Sequence, residues 1–352
     1  MVKNLNKSLM RVLGLSFLVG MSSMSFADIV MNSGTNQASL SCSSEEANQL
    51  LNGDVSASVN KADEPSPQGS AKITTSIRSS NGAVQSSPTK TVQIFDTSAS
   101  FNQPSINARS ALVMDGQTGE VLYSKNSNTA FPIASITKLM TAVIIADARL
   151  NMSENITLQQ IDFAGAGGKN SSSTLRAGDS MNRAEALLFA LMKSENPAAA
   201  ALARTYPGGR AAFVSAMNAK AKSLGMNSTR YVESSGLDPR NISSARDLGI
   251  LVNSASQYGL IRQFSTTPSY DFNLGYRVLK SNNTNALVRN GGWNINISKT
   301  GYINEAGRCV VMHTTLNNRP AVVVLLGADS SAARTNDATK LMTWVSQLPK
   351  RI

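Results

Sequence analysis

Apolar and polar positions along this chain fall into short blocks with different periods. Ala111-Leu112-Val113-Met114 is an unbroken apolar run, Asp115-Gly116-Gln117-Thr118-Gly119 is turn chemistry, and Glu120-Val121-Leu122-Tyr123 is strand-like again. The pattern predicts a hairpin over 110–124. Pro132 breaks the chain ahead of a helical run over 135–149, where Ile136, Leu139, Met140, Val143, Ile144 and Ile145 leave no clear polar face. A helix that is apolar nearly all round belongs in the interior. Helical pattern then dominates over 183–192, 197–204 and 209–224, the last stopped by Gly225. Ser244-Ala245-Arg246-Asp247 reads as a capping box that opens a helix to about Gln257. Strands return over 293–299, 308–315 and 321–326, and a last helix is expected over 336–347. Two strands at the start and three at the end imply an α/β (α+β) fold with one five-stranded antiparallel sheet. Helices flank it, and the helical insertion forms a subdomain that closes one side. The cleft between sheet and subdomain is the expected site.

The N-terminal stretch follows other rules. Lys3, Lys7 and Arg11 make a basic start, 12–21 is apolar, and Ser25-Phe26-Ala27 puts small residues at the −3 and −1 positions of a cleavage site. The apolar run is too short to span a bilayer. A secretory signal peptide over 1–27 is expected, cut after Ala27. No later segment is long and apolar enough to span, so a soluble mature protein is expected. Cys42, in Ser39-Leu40-Ser41-Cys42, sits too far past the apolar run for lipidation. Residues 28–105 hold 17 serines in 78 positions and only two aromatics, Phe95 and Phe101. Such a stretch buries too little apolar area to offset chain entropy, so it reads as a disordered tether ahead of a folded domain over 106–352.

Charge and rare residues narrow the chemistry. The 352 residues carry 33 Lys and Arg against 22 Asp and Glu, a formal charge of +11. The tether holds four basic and seven acidic residues, so 106–352, with 26 basic and 15 acidic, carries the whole excess. A basic surface suits an anionic partner, and for an exported chain that is a wall polymer or lipid headgroup rather than nucleic acid. Two cysteines exclude a disulfide-knit scaffold and a cysteine-based zinc site. One histidine, His313, leaves little room for a multi-histidine metal centre, and mid-strand it reads as an ordinary strand residue. Cys309 in the same strand reads as a small core residue, and a Cys42–Cys309 bond is not expected. Acid–base chemistry therefore falls to Lys or carboxylates.

Three short patterns carry that chemistry. Ser135-Ile136-Thr137-Lys138 puts a hydroxyl and an amine three apart at a helix start, on one face, beside the free N–H groups of the first turn. A lysine serves as a base only if its pKa falls far below about 10.4, and burial and a second cation both lower it. Ser58-Val59-Asn60-Lys61 and Ser87-Pro88-Thr89-Lys90 match the same spacing but lie in the tether, with no helix behind them. Ser194-Glu195-Asn196 sits in a bend before Pro197, where a hydroxyl and a carboxamide can face a cleft. Taken alone it reads as an N-cap serine and a surface amide. Lys299-Thr300-Gly301 is expected to end the strand over 293–299, offering a cation and a hydroxyl to a carboxylate and a close backbone approach at the glycine.

Together, in this order, the three patterns resemble those of the serine penicillin-recognising enzymes, penicillin-binding proteins and serine β-lactamases. The likeness covers essentially all of 106–352. The phrasing of 132–142, Ser194-Glu195-Asn196, Ser298-Lys299-Thr300-Gly301-Tyr302 and 218–226 is similar to that of low-molecular-mass D-alanyl-D-alanine endopeptidases of the penicillin-binding protein seven type. The resemblance implies a β-lactamase/DD-peptidase-like fold. It implies a periplasmic hydrolase that cuts D-Ala–diaminopimelate cross-links of peptidoglycan and is blocked covalently by β-lactams. By the same resemblance Ser135 is the nucleophile, Lys138 takes its proton, and Ser194 relays a proton to the leaving amine. Lys299 keeps the local potential positive, Asn196 holds the substrate amide, and Lys299 and Thr300 meet a carboxylate. The N–H groups of Ser135 and Tyr302 form the oxyanion hole, with Gly301 between, and no metal or other cofactor is required.

Two neighbouring readings stay open at this level. Carboxypeptidase relatives carry a second, strand-rich domain and an amphipathic anchor, and here the sequence runs out at Ile352 soon after the last helix; the endopeptidase reading is expected on that ground. A β-lactamase would need a glutamate to activate water and an Asn four residues on; Glu233 fits the distance, but position 237 is Leu. A non-catalytic wall-binding protein with a tether and a basic domain is the reading from another class.

Overall fold

Strands that are apolar on both faces need a cover on both sides, and this requirement organises the protein. The computed structural model describes residues 55–57, 75–77, 103–165 and 173–349. The signal peptide expected over 1–27 and nearly all of the tether expected over 28–105 lie outside the described residues. Within the tether range, Val55–Ala57 pairs antiparallel with Thr75–Ile77, in a unit separate from the one that begins at Ser100.

The second unit is built on one antiparallel sheet. Strands β1 (Ser110–Asp115), β2 (Val121–Lys125), β3 (Asn294–Ile303), β4 (Gly307–Leu316) and β5 (Arg319–Ala328) pair in the order β3-β4-β5-β1-β2. The five-stranded sheet expected from the sequence is thus present, with the long insertion between β2 and β3. Alternation sorts its side chains. Leu112, Met114, Val311, Val322 and Val324 face one core, shared with the inserted helices. Ala111, Val113, Val310, Met312, Val323 and Leu325 face a second core, closed by Leu341, Met342, Trp344 and Val345 of the C-terminal helix.

Eight α-helices lie among the described residues: α1 (Thr137–Asp147), α2 (Arg183–Leu188), α3 (Asn196–Arg204), α4 (Gly209–Ser223), α5 (Ala245–Ala255), α6 (Gly259–Thr266), α7 (Ala286–Asn290) and α8 (Ser331–Gln347). Helix α1 has nine consecutive buried residues, Thr137 to Ile145, as its all-round apolar pattern implies. Two departures from the sequence reading bear on the site. The helix expected over 183–192 is α-helical only to Leu188; Phe189–Lys193 is a π turn that ends at Ser194 in the left-handed region, φ 67°. Strand β3 does not end at Lys299 but runs to Ile303, so Lys299-Thr300-Gly301 lies inside it. The glycine, expected to let a substrate approach the backbone, is also where the strand meets the Ser135 turn: a Cβ on Gly301 would stand 3.0 Å from the Ile133 carbonyl oxygen and 3.0 Å from Ser135 N. Helices α6 and α7 and the hairpin Ser269–Asn273/Val278–Asn282 had no strong sequence signal. In the hairpin only Phe272 and Ser281 are buried, so its pattern is weak.

Helix α5 meets the sheet at Gly249, where an added Cβ would come within 2.6 Å of Leu112 Cδ2. Leu112 fills that contact and is 0% exposed. Leu112→Ala should therefore cost about 2–5 kcal/mol of stability, read as a lower urea midpoint with an unchanged slope.

Candidate active site

Ser135 lies in a 3₁₀ turn, Ala134–Ile136, that leads directly into α1. The turn is pressed from two sides. Ala134 has φ 47°, a strained value for a residue with a Cβ. Opposite it, Gly236 (φ 87°) comes so close that a Cβ there would stand 1.9 Å from the Ala134 carbonyl oxygen. On the other side runs strand β3 at Gly301, so the backbone of the turn is wedged between a loop and a strand. The Asn241 carbonyl accepts from Ile133 N at 3.1 Å and fixes the approach to the turn.

Lys138, one turn along, is 0% exposed. Its Nζ donates to Ser135 Oγ at 2.9 Å, to Asn196 Oδ1 at 2.5 Å and to the Ser235 carbonyl at 2.7 Å. Two of these acceptors are carbonyl-type oxygens with no proton to give. A neutral amine has two N–H groups and one lone pair. With both N–H groups committed to Asn196 and Ser235, its lone pair is left for the Ser135 hydroxyl. Burial pushes the Lys138 pKa from 10.5 down to about 7, against the opposing pull of the Glu233 and Glu195 carboxylates. Burial acts as expected from the sequence, while the repulsion between the two lysines falls on Lys299. That side chain is 1% exposed, and burial first, then Lys138 and then Arg334, hold its pKa well below the ordinary value.

Lys299 Nζ donates to Ser194 Oγ at 2.8 Å and to its neighbour's carbonyl, Thr300 O, at 2.9 Å. Ser135 and Asn196 are thus held by the Lys138 amine on a helix, and Ser194 by the Lys299 amine on a strand. Thr300 Oγ1 donates to Thr284 Oγ1 at 2.7 Å. Tyr302, 46% exposed, has the Arg308 guanidinium over its ring at 3.5 Å from the centroid, and its hydroxyl donates to Asn304 Oδ1 at 2.7 Å. All eight residues singled out from the sequence lie on the elements that meet here: the Ser135 turn, α1, the bend before α3 and β3.

The supporting residues were not singled out. Ser234 and Ser235 have no pattern of their own, yet their carbonyls accept from Thr141 Oγ1 at 2.7 Å and from Lys138 Nζ. Ser234 Oγ in turn donates to the Ala199 carbonyl at 3.0 Å, so this loop is tied to both α1 and α3. Glu233 was weighed as a water activator. Its carboxylate instead accepts from Ser235 N and Oγ, both at 2.6 Å, from Gly236 N at 2.5 Å and from Asn241 Nδ2 at 2.9 Å. It holds the loop that supports Lys138. His313 pairs with Ile297 across the sheet and touches Asn296 rather than any site residue. Cys309 is buried and free, and Cys42 lies outside the described residues. Among the described residues no group of His, Cys, Asp and Glu is arranged to hold a metal.

Comparison with known proteins gives the family. The D-alanyl-D-alanine carboxypeptidase family of serine peptidases matches residues 97–330, and the chain belongs to that family. A D-alanyl-D-alanine endopeptidase of Pseudomonas aeruginosa is 46% identical over 250 residues, 69% of this chain and 78% of that protein. One from Escherichia coli is 46% identical over 247 residues, 69% of this chain and 79% of that protein. The crystal structure of a Streptomyces DD-transpeptidase superposes with a TM-score of 0.64 at 28% identity, covering 70% of this chain and 99% of that one.

The buried amine gives stability a pH signature. Between about 7 and 10.5 the unfolded chain keeps a proton on Lys138 that the folded chain has lost. The unfolded state binds more protons there, so this group makes stability rise with pH across that window. Lys138→Met removes the effect. The unfolding free energy of wild type minus that of the variant should grow in wild type's favour by on the order of 4 kcal/mol from pH 7 to pH 10. Urea titrations at several pH values measure it, and a flat difference would contradict the burial-driven shift.

Proposed function

We propose that this protein is an exported D-alanyl-D-alanine endopeptidase that cuts the D-Ala–diaminopimelate cross-links of peptidoglycan through an acyl-enzyme on Ser135. The observation that carries the reading is the Lys138 amine, buried, with two N–H groups committed to carbonyl oxygens and the third position turned to Ser135 Oγ. The names of the two relatives at 46% identity favour cleavage within a cross-link.

The steps follow from the contacts. Neutral Lys138 takes the Ser135 hydroxyl proton as Oγ bonds to the D-Ala carbonyl carbon. The N–H groups of Ser135 and Tyr302 receive the negative charge that develops on the carbonyl oxygen. The carbon–nitrogen bond then breaks, and Ser194 passes a proton to the leaving amine. The Lys138 ammonium restores the Ser194 proton and so returns to the neutral amine, while Lys299, bonded to Ser194 Oγ, keeps that hydroxyl in reach and the local potential positive. Asn196 orients the substrate amide, and Lys299 and Thr300 meet a substrate carboxylate beside Gly301, where the strand backbone runs close to the nucleophile. Water attacks the ester carbon, its proton returns through the Lys138 amine, and D-Ala leaves with a free carboxylate while Ser135 recovers its hydroxyl. No step requires a cofactor.

A carboxypeptidase acting on terminal D-Ala is the second reading, favoured by the description of the family itself. A β-lactamase is disfavoured because the Glu233 carboxylate is occupied by four donors from its own loop. The same domain division is proposed as from the sequence: a signal peptide over 1–27, a tether over 28–105 and the peptidase domain over 106–352. A periplasmic site of action and contact of the basic domain with wall or membrane belong to this proposal. Among the described residues no helix is long and apolar enough to cross a membrane.

Incubation with fluorescent penicillin should label wild type covalently and leave Ser135→Ala and Lys138→Ala unlabelled, with both variants folded by circular dichroism. A base with a pKa of about 7 is mostly protonated below that pH. Labelling rates should accordingly rise through pH 7 and flatten above it. Chromatography of digested sacculi should register loss of cross-linked muropeptides. Loss of terminal D-Ala alone from uncross-linked pentapeptides would make the protein a carboxypeptidase instead.

A further inference from the structure

Three consecutive residues, Ser194, Glu195 and Asn196, send their side chains to three different partners. Ser194 Oγ accepts from Lys299 Nζ, and Asn196 Oδ1 accepts from Lys138 Nζ. Glu195, between them, has no part in the mechanism above, yet it is 5% exposed. Its carboxylate accepts from Ser173 Oγ at 2.5 Å, from Thr174 Oγ1 at 2.7 Å and from Thr174 N at 3.3 Å. All three donors are neutral. Among the described residues no arginine or lysine forms an ion pair with it. A buried carboxylate held by neutral donors alone keeps its field for its surroundings, where screening is weak.

The backbone gives this side chain its direction. Glu195 is the N-cap of α3, where a side chain ordinarily accepts from the first turn of its own helix. It makes no such bond and reaches back to Ser173 and Thr174 instead. Its N–H donates to Phe189 O at 3.1 Å and closes the π turn, and Ser194 just before it is left-handed. Backbone of that kind persists where neighbours over-determine it. A bond network on the Glu195 carboxylate is such a constraint.

We infer that Glu195 is a positioning residue for the reaction: by clamping Ser173 and Thr174 it keeps Ser194 and Asn196 turned toward the two lysines, and its carboxylate stands next in the chain to Asn196, whose Oδ1 accepts from Lys138 Nζ. The inference rests on the proposed roles of Ser135 and Lys138. The groups that face Lys138 are Ser135 from its own turn, Asn196 from α3, the Ser235 carbonyl and the Glu233 carboxylate from the loop, Glu195, and the Lys299 ammonium on β3. Of the charged ones, Glu233 and Glu195 both favour the protonated amine. Removing one negative charge while keeping the shape lets the amine lose its proton at lower pH.

Two variants separate the clamp from the charge. Glu195→Gln keeps an acceptor for Thr174 and a partner for Ser173 but loses the charge; Glu195→Ala loses both. Rates of labelling by fluorescent penicillin, measured from pH 5 to pH 9, are expected to give Glu195→Gln a midpoint about one pH unit below that of wild type. Glu195→Ala is expected to label at least about tenfold more slowly at every pH. A Glu195→Gln profile that coincides with wild type overturns the inference, as does an alanine variant that labels at the wild-type rate. Should the alanine variant fail to fold, the glutamine profile decides alone. Wild type run in parallel keeps the two readings apart, because absence of labelling in wild type would sink the acyl-enzyme reading itself.

Discussion

An amine buried at the start of an apolar helix is the constraint on which the rest of the molecule depends. Water would solvate Lys138 better than any protein interior, and isolated burial of its charge is costly. The fold answers with three oxygens from three different segments: the Ser135 turn, the bend before α3 and the loop at Ser235. None of these can shift without leaving the amine short of a partner. The neighbouring staples have the same purpose. Thr141 holds the Ser234 carbonyl, Ser234 holds Ala199, and Asn241 ties Glu233, Thr137 and the approach to Ser135 together. Gly236 and Gly301 are needed because the segments must come within contact distance of the turn, and a side chain at either position would push them apart.

Two buried lysines at one site solve a problem that a single histidine elsewhere would leave open. His313 sits in the sheet against Asn296, so no imidazole is at hand for the serine. Lysine is an unsuitable base in water, and the interior makes it suitable by removing its solvation. The penalty is shared unequally. Glu233 and Glu195 hold Lys138 partly in its charged form, whereas Lys299 faces Lys138 and Arg334 and is destabilised as a cation by both. A substrate carboxylate arriving beside Lys299 and Thr300 would relieve that strain. On the proposed roles, binding of an anionic substrate and the readiness of Lys299 to keep its proton are coupled.

What the sequence revealed depended on how local each signal was. Strands β1, β4 and β5 were legible because consecutive apolar residues fill their faces, and α1 because its apolar positions leave no polar face. The hydroxyl–amine spacing of Ser135 and Lys138 was legible because helical geometry alone brings residues three apart together. Lys299-Thr300-Gly301 was found but set at the end of its strand, and its close approach was assigned to a substrate, because the backbone that needs its missing side chain lies 166 residues and more earlier in the chain, at Ser135 and Ala134. The π turn and the hairpin at 269–282 carry no pattern that separates them from helix and loop. The loop at 233–236 was missed for a similar reason. Its contribution is mostly backbone carbonyls and amides, which every sequence has, and only the fold decides where they point.

The two carboxylates near the site carry that argument one step further. Glu233 and Glu195 each lie within the influence of Lys138, yet neither bonds to it. Glu233 is held instead by hydroxyl and amide groups of its own loop, and Glu195 by those of Ser173 and Thr174. Had either formed a direct ion pair, the amine would hold its proton as tightly as an ordinary surface lysine and could not receive one from Ser135 near neutral pH. Had both been absent, the loop at 233–236 and the bend before α3 would lose the groups that fix them. Charge close enough to support the frame but kept from contact by neutral donors satisfies both demands. It also occupies both of these carboxylates with donors, which fits the proposed route in which one lysine serves both half-reactions.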